Sequence, residues 1–126
     1  MTFNWKEYFD LAQFLQGKTE VSYSEESARR AAVSRAYYAA FCFARNYAED
    51  KCGRGKSRRS DEHSELITFY KVLGTTNQDF VDIADNLEEL RQWRNFCDYD
   101  DNIMQDINNL AIYALKDAQE IISMLT

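Results

Sequence analysis

Proline is absent from the 126 residues and glycine occurs only four times, so few points in the chain oblige a helix to stop. Asn-Gly and Asp-Gly are missing as well, which removes the strongest short-range signal for a β-hairpin. No apolar run approaches the roughly 20 residues that cross a bilayer, and the start, Met1-Thr2-Phe3-Asn4-Trp5-Lys6-Glu7, lacks the layout of a secretory signal. These absences point to an all-α chain in the cytoplasm, without membrane contact. Cys42, Cys52 and Cys97 are odd in number and widely spaced, which suits reduced thiols better than a disulfide framework or a zinc site. Neither a metal nor another cofactor is expected.

What is present is enough for one core. Hydrophobic residues make up 45% of the chain and aromatics 14%, too much for a disordered segment, while the length suits a single domain spanning residues 1–126. A net charge of -6 excludes a generic nucleic-acid coat, which needs a basic excess, and leaves room only for a local basic patch.

Helical periodicity then divides the chain. Trp5, Tyr8, Ala12 and Leu15 predict a first helix over roughly residues 5 to 16, opened by Asn4 and Glu7 as a capping pair. Ser24 with Glu25 and Glu26 opens a second that ends near Gly53. Small and aromatic residues surround most of that long helix, so it reads as the spine of the bundle. A chain this rich in aromatics, with a spine apolar on several sides, is also expected to form a homodimer. A third helix starts near Asp61 with Leu66, Ile67, Tyr70 and Leu73 on its face. A fourth opens at Thr76 with Asp79, and places Phe80, Ile83, Leu87, Leu90, Arg94 and Cys97 on one stripe. Asp100 or Asp101 is expected to cap a last helix whose face runs Met104, Ile107, Ala111, Ala114, Ala118, Ile121 and Leu125.

Three features carry chemistry. Arg94 stands on an apolar stripe, where a guanidinium is costly unless paired. Asp98, four residues on, offers a structural ion pair; the sharper alternative is an anion site in which Arg94 holds a phosphate and Asn95 orients it. Arg35 stands beside Ser34, Tyr37 and Tyr38, a candidate polar seam inside the bundle. The segment from Lys51 to Ser60 has five basic residues and no acidic one, and its Arg54, Lys56, Arg58 and Arg59 form a mobile loop, either simply solvated or contacting phosphate. His63 is the one histidine, with a suitable intrinsic pKa but no partner visible in the sequence.

The segment Ser34-Arg35-Ala36-Tyr37-Tyr38-Ala39-Ala40-Phe41, followed by Leu90-Arg91-Gln92-Trp93-Arg94-Asn95-Phe96-Cys97-Asp98-Tyr99-Asp100, resembles the HEPN family of small helical domains, and His63-Ser64-Glu65-Leu66 resembles the start of that family's short helix. The resemblance implies a mostly antiparallel bundle of four to five helices that commonly dimerises, with Arg94 in a polar cleft near the dimer seam. Many members are metal-independent ribonucleases, acting as toxins beside a nucleotidyltransferase antitoxin or in RNA-directed defence. Their signature is an Arg, often followed by Asn, then a few residues, then His. Arg94 and Asn95 match its opening, but Tyr99 stands where the shortest form has His. A phenol with a reference pKa of about 10 is a poor general base at neutral pH. The expectation is therefore a non-catalytic or weakly catalytic module that binds itself and a nucleotidyltransferase or RNA. The alternative is a ribonuclease toxin with Arg94, Asn95 and either Tyr99 or His63 as its catalytic set.

Overall fold

The computed structural model describes residues 3–17, 24–56 and 60–126. Among these the chain forms five α-helices and no strand: α1 (Lys6–Gln16), α2 (Glu25–Lys51), α3 (Glu62–Leu73), α4 (Gln78–Tyr99) and α5 (Ile107–Met124). None of these helices is long and apolar enough to cross a membrane.

The helix ends follow from local hydrogen bonding. Ser24 accepts from the Ser27 N–H at 3.1 Å, and Glu25 and Glu26 lie against the positive end of α2. Asn4 accepts from the Lys6 N–H at 3.1 Å, although Trp5 rather than Asn4 occupies the cap position of α1. At the start of α4 it is Asn77, not Thr76, whose side chain caps, taking the Asp79 N–H at 3.0 Å. The last helix begins later than its periodicity suggested. Asp106 is the cap, accepting from Asn108 and Asn109 at 2.8 and 3.3 Å, while Met104 lies outside the helix and is 96% exposed. Neither Asp100 nor Asp101 caps α5, because the chain between α4 and Asp106 is not helical.

α2, about 40 Å long at 1.5 Å per residue, is the spine, and α1, α4 and α5 all pack on it. Ala28, Ala32, Ala36, Ala39, Ala40, Ala44 and Ala48 are all buried along it. Side chains this small let neighbouring axes approach from several directions. The facing helices contribute the bulk: Leu66 and Tyr70 from α3, Ile83, Leu87 and Leu90 from α4, and Leu110 and Ile121 from α5. Each fully buried Leu or Ile contributes about 2 kcal/mol. α3 packs on α4 and is fastened to the spine where the Tyr70 hydroxyl donates to the Ala44 carbonyl at 2.6 Å.

Gly53 ends α2 with φ +73, a left-handed conformation that side-chain-bearing residues rarely adopt. That turn brings the Arg54 N–H back to the Ala48 carbonyl at 3.1 Å and sets the Arg54 guanidinium against Glu49.

Candidate functional site

On α2, Ser34, Tyr37, Tyr38 and Phe41 recur at spacings of three and four, and so share one face. α4 meets that face with Arg94 and, one turn on, Asp98. The Arg94 guanidinium carbon lies 5.2 Å from the Tyr37 ring centre, 5.4 Å from that of Tyr38 and 5.9 Å from that of Tyr99. Three aromatic faces thus surround one cation, an arrangement that stabilises its charge without neutralising it. Its carboxylate neighbour is loosely held: Arg94 Nη1 to Asp98 Oδ2 is 3.7 Å, longer than a charge-assisted hydrogen bond, and the Ser34 hydroxyl donates to the same oxygen at 3.3 Å. Arg94 Nε is buried with no hydrogen-bond partner. The Arg94 side chain is only 10% exposed, so an unmade bond there is expensive.

His63 enters the cluster from the first turn of α3. Its ring stacks on Phe41 at 4.2 Å and on Tyr37 at 5.6 Å, and its Nδ1 meets the Tyr37 hydroxyl. Burial, reinforced by the charges of Arg94 and Arg91, lowers the His63 pKa to about 4. Burial raises the Tyr37 phenol well above its usual value, against a smaller opposing pull from the same two arginines. At neutral pH the phenol therefore keeps its proton and meets a neutral imidazole across one hydrogen bond, whose donor follows the His63 tautomer. In either tautomer Nδ1 is occupied by the Tyr37 hydroxyl.

Arg30 holds the end of α4 in place. Its Nη1 donates to the Cys97 and Asp100 carbonyls at 3.0 and 2.7 Å, and its Nη2 to Asp101 at 3.3 Å, while Nε meets Glu26 at 3.1 Å. These include carbonyls that a helix C-terminus leaves without partners. Sequence reasoning passed over Arg30: Glu26, four residues before it, offers a local partner, and nothing in the spacing points to the end of α4.

The structure brings Arg94, Asp98, Tyr99 and His63 together with Ser34, Tyr37 and Tyr38. Asn95, next to Arg94 in sequence, turns towards α3 instead. There it lines a groove of about 280 Å³ with Ser64, Thr68, Arg91 and Gln92. Tyr99 is 72% exposed, with its ring towards Arg94. Arg35 lies outside the cluster, its guanidinium 5.1 Å from the Tyr8 ring on the α1 side. Arg54 is at the far end of α2, its side chain 9% exposed and 3.9 Å from Glu49, while Lys56 is exposed. Arg58 and Arg59 lie outside the described residues. Among the described residues no three His, Cys, Asp or Glu side chains gather as a metal site.

No protein-family model, curated protein or solved structure matches the chain.

Proposed function

We propose that this chain is a HEPN-type helical binding module that acts in the cytoplasm as a homodimer and engages RNA through the Arg94 cluster, with little or no cleavage. The observation that carries the reading is the state of Arg94: buried, flanked by aromatic faces, with Nε unpartnered and its carboxylate 3.7 Å away. A phosphate oxygen entering from the Tyr99 side would supply the missing acceptor. The resemblance to HEPN domains supplies RNA as the source of that phosphate, and a nucleotidyltransferase as a candidate protein partner.

Low activity follows from the proton inventory. Cleavage by a 2'-hydroxyl requires a group that accepts its proton. His63 Nδ1 is engaged by Tyr37, and a pKa of about 4 makes it a weak base. A ribonuclease reading draws on a single observation, that His63 reaches the aromatic box around Arg94 at all.

One experiment separates the two. Binding of a fluorescent single-stranded RNA is followed by anisotropy, and its integrity by gel, both with EDTA present. We expect binding without cleavage, and about 10- to 100-fold weaker binding for Arg94→Ala, the worth of a charge-assisted contact. Equal binding by the variant would overturn the site. Strong wild-type cleavage that His63→Ala abolishes would replace the module with the ribonuclease. Light scattering checks the dimer, and a monomeric mass at micromolar concentration would remove it.

A further inference from the structure

A second cavity, of about 250 Å³, lies between the residues preceding α1 and the second half of α2, apart from the Arg94 cluster. Phe43, Tyr47 and Asp50 recur along α2 at spacings of four and three and form one wall; Phe3 and Trp5 form the opposite one. The indole is held in place: Trp5 packs edge-on against Phe3 at 4.8 Å and against Tyr8 at 5.1 Å. One cation already uses this indole, since the Arg45 guanidinium carbon lies 5.7 Å from its centre.

We propose that this cavity binds an organic ammonium group, of the kind carried by choline or by a methylated lysine side chain. Four aromatic side chains line one small space, and the negative face of a ring turned towards it attracts a diffuse cation that loses little hydration on entry. Asp50 adds a carboxylate to the lining. Lys51, also at the rim, opposes it, and both side chains belong to exposed residues. The volume is just below the usual range of about 300 to 1,000 Å³ for small-molecule pockets, so it suits a head group rather than a whole nucleotide. A larger cleft of about 420 Å³ shares Asn4 and Phe43 with the cavity and is bounded by Gln119 and Ser123 of α5. The ligand therefore has room for a polar tail behind its cationic head. This site is independent of the RNA reading.

The test follows the Trp5 indole N–H signal by NMR during titration with tetramethylammonium, choline, an acetylated trimethyl-lysine amide and 3,3-dimethylbutanol, the uncharged analogue of choline. We expect the three cations to shift the signal with dissociation constants at or below about 10 mM, and the alcohol to bind about tenfold more weakly, the worth of the charge against aromatic faces. Asp50→Asn is expected to weaken tetramethylammonium binding and Lys51→Ala to strengthen it; both are surface changes that leave the fold intact. A tail preference for choline or for the lysine amide identifies the source as a free metabolite or a modified protein. Equal binding of alcohol and cations would overturn the proposal. So would reversed signs for the two charge variants, or no shift by any cation at about 50 mM, where even a weak millimolar site would be filled.

Discussion

Arg54 and Arg94 are arginines with largely enclosed side chains that face one carboxylate at a distance too long for a strong hydrogen bond, 3.9 Å to Glu49 and 3.7 Å to Asp98. Each also has a buried nitrogen without a hydrogen-bond partner, Nη1 in Arg54 and Nε in Arg94. Their carboxylates differ. The Glu49 side chain is 6% exposed, so that pair is sealed inside the α2 terminus, whereas Asp98 is 30% exposed and held on its other side by Ser34. An incoming anion can displace a carboxylate that has water to turn to; it cannot reach one enclosed by protein. On the proposed reading, the same residue type serves as a fastening at one end of the spine and as a receptor at the other.

The contrast predicts opposite phenotypes. Arg54→Ala removes a cation facing a buried carboxylate, and unfolding free energy should fall, read from urea denaturation, with RNA affinity unchanged in the folded fraction. Arg94→Ala should cost about 1 to 2 kcal/mol, mainly the cation–π contacts, because Asp98 can rehydrate, while binding falls as described above. If Arg94 proves the more damaging loss to stability, the open site is in truth another fastening.

His63 sharpens the comparison, since its low pKa has burial and the two nearby arginines as causes. An NMR titration of its ring should give a midpoint near pH 4, and Arg94→Gln, which deletes one of those charges, should raise it. The folded pKa of about 4 lies below the reference value of 6.5. The unfolded chain therefore takes up this proton first as pH falls, so the contribution of His63 to stability is present above about pH 6.5 and lost on the way down to about pH 4. His63→Gln should flatten that part of the profile. A wild-type midpoint near 6.5 would mean that water, not protein, surrounds the ring.

The spine was legible because period and caps agree: Ser24 starts α2 and Gly53 stops it; on α4 the period alone sufficed, and the stripe carrying Arg94 is buried as its spacing required. The start of α5 was not. Asp100, Asp101 and Asp106 all precede α5, each of a type that caps helices, and only the backbone geometry selects Asp106. The Arg94–Asp98 pair could be read from i to i+4 spacing, but the gap that leaves it open could not. The meeting of His63 with Tyr37 was out of reach as well, since it depends on how α3 lies against α2 across a segment with no periodicity. Arg54 was misleading for a definite reason: its neighbours are basic and polar, so composition places it in solvent, whereas the left-handed Gly53 folds it back onto α2.

The smallest expected effect concerns a half-buried carboxyl set among other carboxyl groups. Asp117 of α5 has one carboxyl oxygen buried without a hydrogen-bond partner and lies near Glu89, while Glu120 beside it is tied to Asn86 at 3.1 Å. Burial first, then the hydrogen bond with Glu89 and the charges of Glu89 and Glu120, push its pKa up to about 7, with Lys116 pulling weakly the other way. Between the reference value of 3.8 and about 7 the folded protein keeps a proton that the unfolded chain releases. Stability from this group is therefore complete below pH 3.8 and is lost as pH rises through about 7, the opposite sense to His63. Asp117→Asn imitates the protonated form at every pH. Its thermal midpoint should match the wild type near pH 4, exceed it by a few degrees at pH 8, and level off above that. A constant difference across the range would show that the asparagine merely packs better, and a lower midpoint at pH 8 would show that the ionised carboxylate has a cation after all.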